Sequence, residues 1–174
     1  MAPSCANVGV SATRTFAVFS LVLLAACGDR TLPAQPSMPA VAAPQFMSLE
    51  AESGTGEGGP MQRPRASGGV TIHLAPGEHR QWTFSVGGPS SQYAVEVTYS
   101  NDNIGATETL SLSLDGVPLG AFEARDTGDD GEGWNIFVTN VAGLSNLSPG
   151  SHTLVIRSSG GDGCVEIDKV TLTP

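Results

Sequence analysis

The 174-residue chain is poor in cysteine, in aromatic rings and in charge. Its three cysteines are Cys5, Cys27 and Cys164, with no C-x-x-C pair and no spacing that suits zinc. Two of them fall in or at the end of an apolar leader, so Cys164 is alone in the folded part and an intradomain disulfide is excluded. A lone cysteine beside a strand reads as a small buried hydrophobe, and no His/Asn pattern accompanies it as a catalytic thiol would require. Charged residues make up 14%, split into 8 basic and 17 acidic, a net charge of −9. A phosphate backbone would be repelled, which argues against nucleic acid as a partner. The acidic groups suit a hard cation such as calcium, or simply a solvated surface. Catalytic motifs are missing too: there is no G-x-S-x-G elbow, no H-E-x-x-H and no phosphate-cradling loop. His73, His79 and His152 are scattered without a triad order. The expectation is that the protein is not an enzyme.

What is abundant is glycine (22) and proline (12), a mix suited to short strands joined by turns. The chain divides into residues 1–26, 27–45 and 46–174. In the first, Arg14 precedes an uncharged run, Thr15 to Ala26, too short to span a membrane and matching the apolar region of a signal peptide. The run ends in Leu24-Ala25-Ala26-Cys27-Gly28, which resembles a bacterial lipobox. That resemblance implies cleavage before Cys27, lipidation of its thiol, and membrane attachment through the lipid anchor alone. Gly28, rather than Asp, follows the cysteine, so the expected location is the cell envelope, with the outer membrane favoured in a Gram-negative cell. Pro33, Pro36, Pro39 and Pro44 make residues 27–45 an extended tether.

From residue 46 onward, strand-like runs succeed one another at 46–52, 69–74, 79–86, 92–100, 108–115, 117–123, 134–141, 151–158 and 164–173. Tyr93, Val95, Val97 and Tyr99 alternate with smaller or polar residues, as do Leu110, Leu112 and Leu114. Asp115-Gly116 between two such runs predicts a hairpin, because both residues tolerate positive φ. No segment carries a 3.6-residue apolar stripe. The expected fold class is all-β, a jelly-roll β-sandwich of about nine strands. Trp82 belongs to an alternating run with Phe84 and Val86 and reads as core.

Two acidic features invite a metal. The loop Asp126-Thr-Gly-Asp129-Asp130-Gly131-Glu132 fails as an EF-hand, since Gly128 stands at its third position and Phe137 at its twelfth; it reads as a polar loop. Glu50 and Glu52, spaced i and i+2, would project from one face of a strand, and Glu166 with Asp168 repeats the arrangement near the other terminus. Domain termini tend to be close, and pooled carboxylates favour a cation between them. On residues alone, two separate solvated strand edges are an equal alternative.

Leu49-Glu-Ala-Glu52 with Ala66-Ser-Gly-Gly69, Val95-Glu-Val-Thr-Tyr-Ser-Asn101, Leu112-Ser-Leu-Asp-Gly-Val117, Leu147-Ser-Pro-Gly150 with the following Ser151-His-Thr-Leu-Val-Ile156, and Val165-Glu-Ile-Asp-Lys-Val-Thr-Leu172 occur in one order. Together they resemble carbohydrate-binding module families 6 and 35, over about residues 48–173. The resemblance implies a structural calcium held by Glu50, Glu52 and Asp168, with backbone carbonyls near Ser67 to Gly69 completing its shell. It implies a sugar site in loops at one edge, with Trp134 as stacking platform and Phe137 as a second aromatic; a core role for Trp134 is the alternative. Asn101 matches a polar loop position, with Asp102 and Asn103 as neighbours. His73 stands where the family has a platform tyrosine, and Glu166 where it has an asparagine that bonds a sugar hydroxyl. A carboxylate at that place would repel uronic acids. The functional expectation is non-catalytic binding of a polysaccharide, oligosaccharide or envelope glycan by a monomer. The alternative is an envelope structural or protein-interaction lipoprotein that keeps the fold without binding sugar.

Overall fold

The computed structural model describes residues 42–102, 105–128, 133–161 and 163–174. The signal segment 1–26, Cys27, most of the tether, Asn103 and Asp129 to Glu132 of the acidic loop lie outside the described residues.

Among the described residues eleven strands form: β1 (Met47–Glu50), β2 (Thr55–Gly56), β3 (Gly59–Gln62), β4 (Val70–Leu74), β5 (His79–Val86), β6 (Ser91–Ser100), β7 (Glu108–Leu114), β8 (Val117–Ala124), β9 (Val138–Leu147), β10 (Gly150–Gly160) and β11 (Val165–Thr173). They make two antiparallel sheets. One runs β3-β4-β11-β6-β9, with β1 also paired to β11; the other runs β2-β5-β10-β7-β8. This is a jelly-roll sandwich, with two more strands than the alternation predicts. The additions, β2 and β3, are exposed along their whole length, so neither face carries an apolar rhythm. The run at 134–141 is also displaced. Asn135 adopts φ 68°, which breaks an extended chain, and β9 begins only at Val138.

The core lies between the sheets. Tyr93, Val95, Val97 and Tyr99 of β6 face Leu110, Leu112 and Leu114 of β7 and Leu154 and Ile156 of β10 as one buried cluster, to which Trp82 also belongs. Asp115 (φ 51°) and Gly116 (φ 78°) close the β7–β8 hairpin with both turn residues at positive φ, the geometry that matches strand twist.

One irregularity positions the site. In β11, Ile167 pairs with Tyr99 and Lys169 with Thr98, leaving Asp168 as an extra residue in a β-bulge. The bulge shifts the inward face from Val165 and Ile167 to Val170 and Leu172, all fully buried. Around the bulge Glu166 and Asp168 meet different partners, Arg63 and Thr71 for the first and the Ser67 amide for the second.

Candidate functional site

Two groups of polar side chains flank β11. The first surrounds the bulge. β1 ends at Glu50, and Ala51–Ser53 turn into a short 3₁₀ segment, so Glu50 and Glu52 are not an i, i+2 pair on one strand. β5 holds the turn: the Trp82 indole Nε1 donates to Glu50 O (2.9 Å), and Arg80 Nε donates to Ala51 O (3.0 Å). The predicted core tryptophan is indeed buried, and its one polar atom fixes the backbone that carries the acids.

A second turn, Ser67–Gly69, meets the first. The Ser67 amide donates to Asp168 Oδ1 at 2.7 Å. A Cβ on Gly68, whose φ is 67°, would lie 2.9 Å from Glu52 Oε1. Glycine is favoured there by its backbone angle, and a Cβ would in addition make the Glu52 carboxylate shift. Glu50 takes a hydrogen bond from Ser48 Oγ on Oε1, while its buried Oε2 has no partner among the described residues. Burial pushes the Asp168 carboxyl up to about 6, and the neighbouring Glu50 and Glu52 charges add to the rise, against the Ser67 hydrogen bond and Lys169. Among the described residues no three His, Cys, Asp or Glu side chains form a ready-made metal cage. The Glu50 and Glu52 carboxylates nonetheless lie close enough to disfavour the charge on Asp168. An orphaned oxygen and pooled negative charge are what a divalent cation relieves, so the donor set fits calcium in kind.

The second group lies on the other side of the bulge. Glu166 is fully buried and bound by Arg63, whose Nε donates to Oε2 at 2.7 Å while Nη2 donates to Oε1. Thr71 Oγ1 adds a third bond at 3.0 Å, and His73 Nδ1 lies 3.5 Å from Oε1. The fork places the Arg63 Cζ 5.4 Å from the centroid of the Trp134 ring, within cation–π range. The Trp134 and His73 rings stand 5.6 Å apart, tilted by 47°. Trp134, His73 and Glu166 thus come together, from β4, β11 and the loop before β9. The expectation that Glu166 presents a repelling charge needs correction. Its carboxylate is sealed below the surface and neutralised by Arg63, a residue that sequence reasoning passed over.

Ser100, at the end of β6, holds the loop that carries Trp134. Its hydroxyl donates to Gly133 O (2.9 Å) and accepts from Asn135 N (3.0 Å). Gly133 packs so closely on Asn101 that a Cβ there would run into the Asn101 carbonyl. Asn135 Oδ1 in turn accepts from the Arg65 amide at 2.9 Å, tying this loop to the one bearing Arg63. Asn101 is placed differently from its expected role. Its side chain is 1% exposed, and its amide donates to Glu108 Oε2 (2.8 Å) and to Ala124 O. It supports the loop from beneath rather than opening to solvent. Phe137 is partly buried just before β9, with no ring contact to Trp134 among the described residues.

No family model and no curated protein sequence matches the chain. Solved structures do. A family 35 carbohydrate-binding module from Clostridium thermocellum aligns with TM-score 0.62 and 16% identity, covering 74% of this chain and 97% of the module. A family 35 module from an environmental isolate aligns with TM-score 0.60 and 15% identity, covering 74% and 93%. An exo-β-1,3-galactanase from Phanerochaete chrysosporium, solved with β-1,3-galactotriose, aligns with TM-score 0.57 and 21% identity over 73% of this chain. Only 29% of that enzyme is covered. At these identities the likeness is one of fold: the domain shares the sandwich of the family 35 modules.

Proposed function

We propose that this sandwich is a non-catalytic carbohydrate-binding domain, held at the cell envelope by a lipid on Cys27 and stiffened by calcium. The observation that carries the reading is the gathering of Trp134, His73 and Arg63 over the buried Glu166, on a fold shared with sugar-binding modules. An indole offers its π face to the apolar C–H face of a pyranose. The surrounding ring nitrogens and guanidinium offer donors to hydroxyl oxygens. Because Arg63 lies over the indole, a sugar reaches that face by taking the place of the guanidinium or by stacking beside it. The charge open to a ligand is cationic rather than anionic, so acidic sugars are not repelled on the ground of Glu166.

Glu50, Glu52 and Asp168 are the residues that would hold calcium, in the role of a structural brace. The ion would tie the 3₁₀ turn after β1 to the bulge of β11 and so fix both ends of the domain. The leader and Cys27 supply attachment in this reading, and residues 28–45 supply reach.

The test is a glycan array probed with the full chain, in calcium and in EDTA, beside Trp134→Ala. The expected result is binding to one glycan class that disappears in the variant. A folded wild-type chain that binds no glycan would overturn the reading. A second reading, a protein-interaction lipoprotein without sugar binding, is favoured by one feature. Val141 (59% exposed) and Leu144 (60%) expose apolar surface on the outer face of β9, an edge strand.

A further inference from the structure

A second cleft lies away from the Trp134 group, on the flank where the two sheets meet. β8 and β9 are the edge strands of opposite sheets. Each carries a bulge: Leu119 is the extra residue in β8 and Ala142 in β9. Beside the bulges the two strands touch backbone to backbone. A Cβ on Gly120 would run into Ala142 O, and a Cβ on Gly143 would come within 2.8 Å of Leu119 O. The two glycines form a pinch. Beyond it, towards the end of β8 and the start of β9, a cleft of about 550 Å³ opens.

The floor of this cleft is aromatic: the half-buried Phe122 ring offers the accessible face, backed by the buried Tyr99 ring at a centroid distance of 5.7 Å and a tilt of 41°. Val138, paired with Tyr99 and so on the same strand face, forms an apolar wall. The rim is polar on both strands. Asn140, whose amide also reaches Tyr99 OH at 3.4 Å, stands on one side; Glu123, Arg125 and Asp126 stand on the other. Glu123 and Arg125 form a loose, exposed ion pair at 3.8 Å, so both retain capacity for a ligand.

We infer that this flank cleft is a second saccharide site, selective for neutral or amino sugars and separate from the Trp134 group. Three properties argue for that class. The volume falls within the roughly 300–1,000 Å³ usual for small-ligand sites, enough for a short oligosaccharide. An aromatic floor beneath a rim of mixed donors and acceptors matches a ring with an apolar C–H face and a perimeter of hydroxyls. Two carboxylates against one guanidinium leave the rim negative, which disfavours anionic ligands; a wholly apolar ligand would desolvate that rim without return. The glycine pinch keeps the cleft pre-formed, and pre-organisation is what lets a shallow site bind at all. The inference stands whether or not the Trp134 group binds sugar.

The experiment is amide chemical-shift titration of the full chain and of Trp134→Ala. The probes are β-linked trisaccharides of glucose, galactose and N-acetylglucosamine, with trigalacturonate as the anionic comparison. Trp134→Ala removes the first site, so its effect separates failure of one proposal from failure of the other. The expected result is a saturable shift of the Asn140 and Val141 amides that persists in Trp134→Ala. It should weaken about tenfold or more in Val138→Arg, which fills the mouth from an exposed position on the Tyr99 face, and in Asn140→Ala, which removes a rim group. Absence of any shift at these amides with every trisaccharide would overturn the inference. So would shifts untouched by both cleft variants, or tighter binding of trigalacturonate than of the neutral probes.

Discussion

Replacing Arg63 by alanine isolates the chemistry at the centre of the site. Glu166 is fully buried with Arg63 in place; the change leaves its carboxylate, among the described residues, with only the Thr71 hydroxyl bonded to it and His73 at 3.5 Å. Breaking a buried pair on one side costs about 3–5 kcal/mol, because an uncompensated charge stays inside. The Arg63 side chain is 21% exposed and His73 stands near, so some compensation survives. The expected loss is therefore about 2–4 kcal/mol, which includes the stacking of the guanidinium on Trp134. Urea unfolding at neutral pH would read it as a lower midpoint with an unchanged slope. The companion variant, Arg63→Met with Glu166→Gln, removes both charges while keeping a partner for Thr71. It should recover to within about 1 kcal/mol of the wild type, since the penalty belongs to the lone charge and not to the missing pair. A single variant that loses less than about 0.5 kcal/mol, the level of an exposed pair, would refute the argument. So would a double variant no more stable than Arg63→Ala.

Calcium removal should lower the melting temperature on the order of 10 °C when the ion is present at a hundredfold excess over its Kd; calorimetry with EDTA checks this, and Asp168→Asn should show the smaller EDTA effect. His152 donates to Asp115 Oδ2 (2.7 Å) and to Ser148 O (2.8 Å) when doubly protonated, which raises its pKa, the Asp115 bond first, while the same bond lowers that of Asp115. The histidine's contribution is complete below about 6.5 and is lost as pH rises through its raised value; the aspartate's is present above about 3.8 and is lost as pH falls through its lowered value. Stability between those limits should therefore exceed that at pH 8 by more than in His152→Gln, as pH-resolved urea melts would show. Gly133→Ala should destabilise the domain by roughly 1–3 kcal/mol, since a Cβ there meets backbone that cannot give way; if glycan binding survived that change in full, the loop would not position Trp134.

The sandwich was legible because its central strands bury one face and wet the other. β6 and β7 alternate cleanly, and Asp115-Gly116 announces the turn after β7. β2 and β3 were not legible, since strands solvated on both faces carry no rhythm. Of the site, Trp134, His73 and Glu166 could be picked out by resemblance, but Arg63 could not. It lies 103 residues from Glu166, in a loop where a single arginine has no periodic or motif signal. Nor did Glu166 point to it: it alternates with the inward Val165 and Ile167 and so reads as an outward residue, although it is fully buried. The bulge at Asp168 was hidden for a related reason. Val165, Ile167, Val170 and Leu172 read as one apolar set only if the alternation slips by a residue between Ile167 and Val170, and that slip is itself the trace of a bulge.

The account rests on sugar recognition at the Trp134 group, and titration calorimetry addresses it most directly. An oligosaccharide from the class identified on the array would be titrated into the wild type and into Trp134→Ala, both with calcium and both verified as folded. The account predicts saturable heat in the wild type and, for that ligand, affinity about a hundredfold lower or undetectable in the variant, the effect of losing a stacking anchor. Equal affinity in the two proteins would contradict it and move recognition away from the indole.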